Sequence, residues 1–217
     1  MTENKEKINL KGKSKTKERI FDIATNLFAQ NGFDATSMRE IAEGVGIKKA
    51  SLYSHYKSKD EILVEILKYP LGRMLTVGQQ DIGTEELIVS MGLEKFMAMA
   101  GDLALSWMED TYMEKIWRII CIELYHNDQI KQFYSEFKVM SCSYWVSAFD
   151  IMMKHNLIKS SNPRILAMEY LSFFGNSYMD YFLNNYDNKS GSYLKEYKNL
   201  TNKHINFIVN SIKPEGD

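Results

Sequence analysis

Residues 48–55 bring Lys48, Lys49, Ser51, Tyr53, Ser54 and His55 together with no acid among them. Ammonium, hydroxyl and imidazole groups at this density are hydrogen-bond donors suited to phosphate oxygens and to the guanine acceptors of the major groove. For Lys48 and Lys49 the alternative is a merely solvated face, but such faces usually mix both signs of charge.

Donors of this kind need a short rigid element to present them. Residues 36–56, TSMREIAEGVGIKKASLYSHY, read as two helices, 37–43 and 48–55, joined by Gly44-Val45-Gly46. Ser37 followed by Glu40 is a capping box, which satisfies two free amides at a helix start. Met38, Ile41, Ala42, Val45 and Leu52 face inward. Two short helices across a glycine turn, the second basic and hydroxylic, form a helix-turn-helix able to enter a major groove.

The flanking segments are helical too. Ile20, Ile23, Ala24, Leu27 and Phe28 recur at helical spacing and predict a helix over 16–31, stopped by Gly32. Ser58 and Glu61 predict a second capping box, opening a helix with Ile62, Leu63, Ile66 and Leu67 inward. Pro70 should kink or end that helix near 68–70, with a loop over 78–84. Helices are expected at 85–109, 111–126, 129–156, 163–185 and 193–212, the fourth started by Asn162-Pro163, with a polar turn at 187–192. Strand signals are missing, so the fold class is all-α: a disordered basic tail (1–15), a three-helix helix-turn-helix domain (16–58) and a larger helical domain (59–217).

The totals agree with that division. The chain has 217 residues, 45% hydrophobic and 25% charged, as a cored globular protein does. Net charge is −1 overall, but residues 1–60 carry +4 and the remainder −5. A basic head on an acidic body is expected where one module meets phosphate. Cys121 and Cys142 read as reduced packing residues. MTENKEKINLKGKSKTKER lacks an apolar run and nothing reaches about 18 apolar residues, so neither a signal peptide nor a membrane span is expected, and a cytoplasmic location is. His55, His126, His155 and His204 are scattered and no phosphate loop occurs. Enzymatic chemistry, metals and cofactors are therefore not expected.

TKERIFDIATNLFAQNGFDATSMREIAEGVGIKKASLYSHYKSKDEILVEIL resembles the N-terminal domain of the TetR family of one-component transcriptional regulators, over residues 16–67. The Gly-Phe-x-Ala-Thr-Ser join, the Ile-Ala-x-x-x-Gly-Ile core and the Leu-Tyr-x-His-Tyr-Lys-x-Lys-x-Glu ending agree jointly. The resemblance implies that Thr36 and Ser37 touch the phosphate backbone and that Lys49, Ala50 and Ser51 open the recognition helix. Family members often have glycine at Ala50 and a small polar residue at Lys48, where lysine adds a base or phosphate contact. Tyr53, His55 and Tyr56 match aromatic positions that brace or contact phosphate, and Lys59 matches a phosphate clamp.

In the body, Met97, Trp107, Met108, Trp117, Trp145, Phe149, Phe174 and Tyr178 are either ordinary core or the wall of an adaptable cavity; the resemblance implies a ligand pocket. Glu123 lies on the stripe set by Ile116, Ile119, Ile120 and Leu124. It either faces the pocket as partner of a cationic ligand or pairs at the stripe's edge with Arg118 or Lys115. Met168, Ser172, Gly175, Met179 and Phe182, with Leu200, Thr201, His204 and Ile208, are either internal core or, as the resemblance implies, a twofold four-helix dimer surface. The expected protein is a homodimeric regulator, a repressor in most of the family, that binds a double-stranded pseudo-palindromic operator and is released by a small-molecule effector. The alternative is a DNA-binding regulator without such a ligand, constitutive or controlled by a protein partner.

Overall fold

Apolar residues at helical spacing along most of the chain leave helix-on-helix packing as the means of burying them. The computed structural model describes residues 15–78, 83–184 and 191–214. Its regular elements are α1 (Lys15–Asn31), α2 (Met38–Val45), α3 (Lys49–Tyr53), α4 (Lys59–Gly78), α5 (Thr84–Met108), α6 (Thr111–Glu123), α7 (Asp128–Lys154), α8 (Pro163–Asn184) and α9 (Gly191–Ile212). Residues 1–14, most of the loop expected over 78–84 and most of the turn expected over 187–192 lie outside the described residues.

The capping box at α2 is complete: the Glu40 amide donates to Ser37 Oγ at 3.2 Å and the Ser37 amide to Glu40 Oε2 at 2.7 Å. Instead of turning at residue 44, α2 continues to Val45, and the left-handed residue that closes it is Gly46, at φ 74°. Gly44 serves a different purpose, since a Cβ there would lie 2.7 Å from Ile23 Cγ2. Its missing side chain lets α1 and α2 approach. The second motif helix is shorter than 48–55, because the chain turns after Tyr53 with the Ser54 hydroxyl donating to the Ser51 carbonyl at 2.7 Å.

At α4 only half of the second capping box forms. The Glu61 amide donates to Ser58 Oγ, but the Glu61 carboxylate accepts the Lys57 amide at 2.7 Å, one residue earlier than expected. Pro70 neither ends nor interrupts the helix, which runs through it to Gly78. The proline forfeits one backbone bond. Buried Ile62, Leu63, Ile66 and Leu67 hold the preceding turns, and the Tyr69 hydroxyl donates to Asp110 at 2.9 Å. An unexpected break falls in α5 at Gly92, whose φ of 74° and ψ of 173° are not helical. The start of α8 follows the sequence signal, with Asn162 Oδ1 accepting the Arg164 and Ile165 amides at 3.0 and 3.1 Å.

Two large apolar cores result. One is shared by head and body: Ile20, Phe28, Ile62 and Ile66 pack in the same cluster as Ile116, Trp117 and Ile120. The other lies within the body, where Phe96, Trp145, Phe149, Tyr170 and Ile208 come together from α5, α7, α8 and α9.

Candidate nucleic-acid interface and body cavity

Leu52 anchors α3, being fully buried, while Lys48, Lys49, Ala50, Ser51, Tyr53 and Ser54 around it are exposed. Lys49 Nζ lies 5.8 Å from the Tyr53 ring centroid, so the two residues form one donor patch. Ser37 is exposed at the start of α2. His55 is half-buried at the far end of the patch. Arg39 is exposed but tied to Glu43 at 2.7 Å one helical turn away.

Thr36 is corrected, since the structure turns it inward; Tyr56 takes the bracing place among its two alternatives, and Lys59 is bonded within the head. Thr36 is 1% exposed, and its hydroxyl donates to the Gly32 carbonyl at 2.9 Å, inside the α1–α2 join. Tyr56 is buried among the core residues, with its hydroxyl pushed up to about 12 by that burial and then by the Glu65 charge. Lys59 Nζ donates to the Phe33 carbonyl at 2.5 Å and sits 4.2 Å from the Phe33 ring centroid. It ties the start of α4 to the α1–α2 join. All three residues build the platform from which α3 projects.

Glu123 is corrected as well. It is 6% exposed and does not line the body cavity described below, with Oε1 accepting the Phe33 amide at 2.8 Å. Arg118 Nε donates to the Ala29 carbonyl at 2.9 Å. The Tyr112 hydroxyl donates to Asp22 at 2.6 Å, and burial together with Asp22 pushes that phenol well up. Three α6 side chains thus hold α1 and its C-terminal turn. Gly32 is required at that turn, since its φ is 86° and a Cβ would stand 3.0 Å from Glu123 Oε1.

A cavity of 150 Å³ opens in the body, with Trp107, Trp145, Phe174 and Tyr178 on its wall. Met97, Met108, Trp117 and Phe149 do not line it; they are buried in the surrounding cores. The sequence reading missed Met74, Phe96, Met99, Phe137, Ser141, Tyr144 and Tyr170, which do line it. The Trp107 and Tyr178 rings are nearly parallel, at 11°. Among the described residues no cluster of three or more His, Cys, Asp or Glu is placed to hold a metal ion, and no helix is long and apolar enough to cross a membrane.

Residues 20–66 match the family described as bacterial regulatory proteins, tetR family. The HTH-type transcriptional repressor KstR2 of Rhodococcus jostii is 26% identical over 167 residues, covering 74% of this chain and 76% of that protein. The likeness to the TetR family rests on those N-terminal residues, 20–66. A second relative, the biofilm operon HTH-type negative transcriptional regulator IcaR of Staphylococcus epidermidis, is 50% identical over 46 residues, which is 21% of this chain and 25% of that protein. The structure of SmeT in complex with triclosan superposes with a TM-score of 0.70 at 16% identity, covering 94% of each chain. That likeness shows a shared fold.

The TetR resemblance assigned α8 and α9 to a dimer surface, and the structure sorts those residues. Met168, Ser172, Gly175 and Met179 are exposed along one side of α8, joined by Ile165. Leu200 is exposed on α9, and Phe207, absent from the sequence reading, is 68% exposed. Phe182, Thr201 and Ile208 are corrected to internal core at 1%, 1% and 7% exposure. His204 is half-buried, its ring stacked on Phe173 at 4.1 Å between centroids.

Proposed function

We propose that this chain is a homodimeric repressor that reads a pseudo-palindromic operator through Ser37, Lys48, Lys49, Ala50, Ser51, Tyr53 and His55, and leaves it when a small molecule fills the body cavity. The observation that carries the reading is the course of α4. The helix starts at Lys59, which is bonded to the head at Phe33, and fifteen residues later Met74 stands on the cavity wall. One rigid element therefore touches both sites, and a ligand that displaces Met74 acts on the head through it. The coupling has only to supply about 1–3 kcal/mol of differential affinity.

Other observations support the remaining parts. Dimerisation is supported by the exposed stripe of Ile165, Met168, Ser172, Gly175 and Met179 on α8, because two helix-turn-helix heads gain affinity by reading two half-sites together. Repression is supported by relatives described as a repressor and a negative regulator. An effector is supported by a similarly folded protein seen with triclosan.

The test uses the full chain and a labelled duplex selected from a random pool. Light scattering should give two chains per particle, and anisotropy should give tight, salt-sensitive binding that weakens when a cavity-binding compound saturates the protein. A monomer on DNA, or an affinity unmoved by every compound that thermally stabilises the chain, would overturn the reading.

A further inference from the structure

The cavity wall is uniform in one respect: no Asp, Glu, Lys, Arg or His lines it. The nearest basic group on α4, Arg73, is turned to Asp110 at 3.6 Å and to Ser106 at 3.3 Å. An ionic ligand would leave water for a wall that offers no counter-charge, which is costly whatever its sign. Ionised tyrosine does not supply one, because burial pushes the Tyr170 and Tyr178 hydroxyls well up and keeps them neutral.

The polar groups on the wall divide into used and unused. The Ser141 hydroxyl donates to the Phe137 carbonyl and the Tyr178 hydroxyl to the Ala104 carbonyl, each at 2.8 Å. The Trp107 indole N–H and the Tyr170 hydroxyl are buried and meet no hydrogen-bond partner among the described residues. Trp117 and Tyr56 also bury unpartnered polar atoms, but away from the cavity. What distinguishes Trp107 and Tyr170 is that both stand on one small apolar wall, at 8% and 2% exposure. Indole is a donor only, so a molecule that satisfies it must present an acceptor.

Size and shape complete the specification. An apolar cavity of 150 Å³ takes a single benzene-sized ring. Its aromatic surfaces, Phe96, Trp107, Phe137, Trp145 and Phe174 among them, favour stacked or edge-on ring contacts.

We propose that the effector is a neutral, single-ring aromatic molecule with a hydrogen-bond acceptor, such as a carbonyl, ether or ester oxygen, that takes the Trp107 indole N–H and the Tyr170 hydroxyl. This rests on the cavity being the effector site, and the experiment separates the two claims.

Four probes are titrated calorimetrically into the full chain without DNA: acetophenone, ethylbenzene as the same shape without an acceptor, benzoate as an anion and benzylammonium as a cation. Acetophenone should bind about tenfold or more tighter than ethylbenzene, and the two ions more weakly still. Trp107→Phe and Tyr170→Phe should each shrink the ratio of acetophenone to ethylbenzene affinity, a ratio that a merely structural change, acting on both neutral probes alike, would not move. Equal affinity for acetophenone and ethylbenzene, tighter binding of either ion, a preference surviving both substitutions, or no heat from either neutral probe would overturn the assignment. Operator anisotropy is then read with each probe. Acetophenone binding that leaves DNA affinity unmoved upholds the ligand class and defeats release by ligand; an ion that binds and releases DNA does the reverse.

Discussion

The Glu123 carboxylate accepts the Phe33 backbone amide at 2.8 Å, joining residues 90 apart in the chain and linking the end of α6 to the turn that leads into α2. The bond is buried, so removing this acceptor leaves a buried donor unsatisfied. Glu123→Ala should therefore cost about 1–3 kcal/mol, or roughly 2–4 °C of Tm per kcal/mol for a chain of this size. Glu123→Gln keeps an acceptor oxygen in place and should lose much less. Thermal unfolding of both variants checks this; equal losses would show that charge and not the hydrogen bond holds the turn. Neither variant should change the affinity for a cavity ligand, since Glu123 is not on that wall.

At the head, Lys49 and Tyr53 are exposed and adjacent, outside the buried core. Lys49→Ala should weaken operator binding about tenfold or more, because a charged hydrogen bond contributes about 1.5–3 kcal/mol, and should lower the salt slope by ~0.9 per lost phosphate contact. Tyr53→Phe removes one neutral donor and should cost about 2- to 10-fold. Anisotropy at several salt concentrations, with unfolding curves as control, measures both. Wild-type affinity for the two variants at moderate salt would remove α3 from the interface.

Gly44 sets two effects against each other. Alanine in a helix interior is favoured over glycine by about 0.5–1 kcal/mol. The added Cβ, however, would stand 2.7 Å from Ile23 Cγ2, and a β-branched side chain has little freedom to yield. Overpacking costs about 1–3 kcal/mol, so Gly44→Ala should be destabilising on balance. Combined with Ile23→Ala it should cost less than the two single changes added, by about 0.5–3 kcal/mol. Strict additivity in urea unfolding would mean that the two helices separate to admit the methyl group.

How far this was legible in the sequence follows from the reach of each signal. Ser37–Glu40 and Asn162-Pro163 act within one helical turn, and their bonds form as the residue types require. Ser58–Glu61 shows the margin of such signals, since the carboxylate selects the Lys57 amide, a choice of one residue. Glu123 was legible only as inward-facing. Periodicity gives a direction from the helix axis and says nothing about which element waits there, and what waits is Phe33. The same limit explains the cavity. Aromatic and methionine content pointed to the body, but whether Trp107 lines the space and Trp117 the core depends on helix rotations that no local pattern encodes. Pro70 was over-read for a related reason, because local chemistry predicted a break and tertiary packing overrode it.

The exposed apolar groups on α8 and α9 make a prediction about association. Met168→Glu and Phe207→Glu alter side chains that are 51% and 68% exposed, so neither should harm the protomer. Either charge placed in a twofold contact meets its own copy and should shift the protein to monomer by light scattering, with weaker operator binding. Phe182→Ala is the contrasting case. At 1% exposure it should lower stability by about 3–5 kcal/mol, without selectively dissociating the dimer. Dimers that survive both glutamates would move the interface elsewhere.

His204 gives the body a defined response to acid. Its ring stacks on Phe173 at 4.1 Å and 9°, with the Tyr170 and Phe174 rings each at 6.0 Å. Burial lowers its pKa; the Tyr170 backbone and the Glu169 charge oppose that without overcoming it. A histidine whose pKa is lower folded than unfolded binds more protons in the unfolded chain, so its share of stability is present above the ordinary pKa of ~6.5 and is lost as pH falls through and below it. Cooling of Tm between about pH 7.5 and about pH 5.5 should therefore be smaller in His204→Gln than in the wild type, since glutamine does not titrate in that range. Carboxylates elsewhere contribute equally to both proteins and cancel in the difference. An unchanged difference across the range would mean that His204 takes its proton without disturbing the stack, and a difference of opposite sign would mean that Glu169, not burial, governs it.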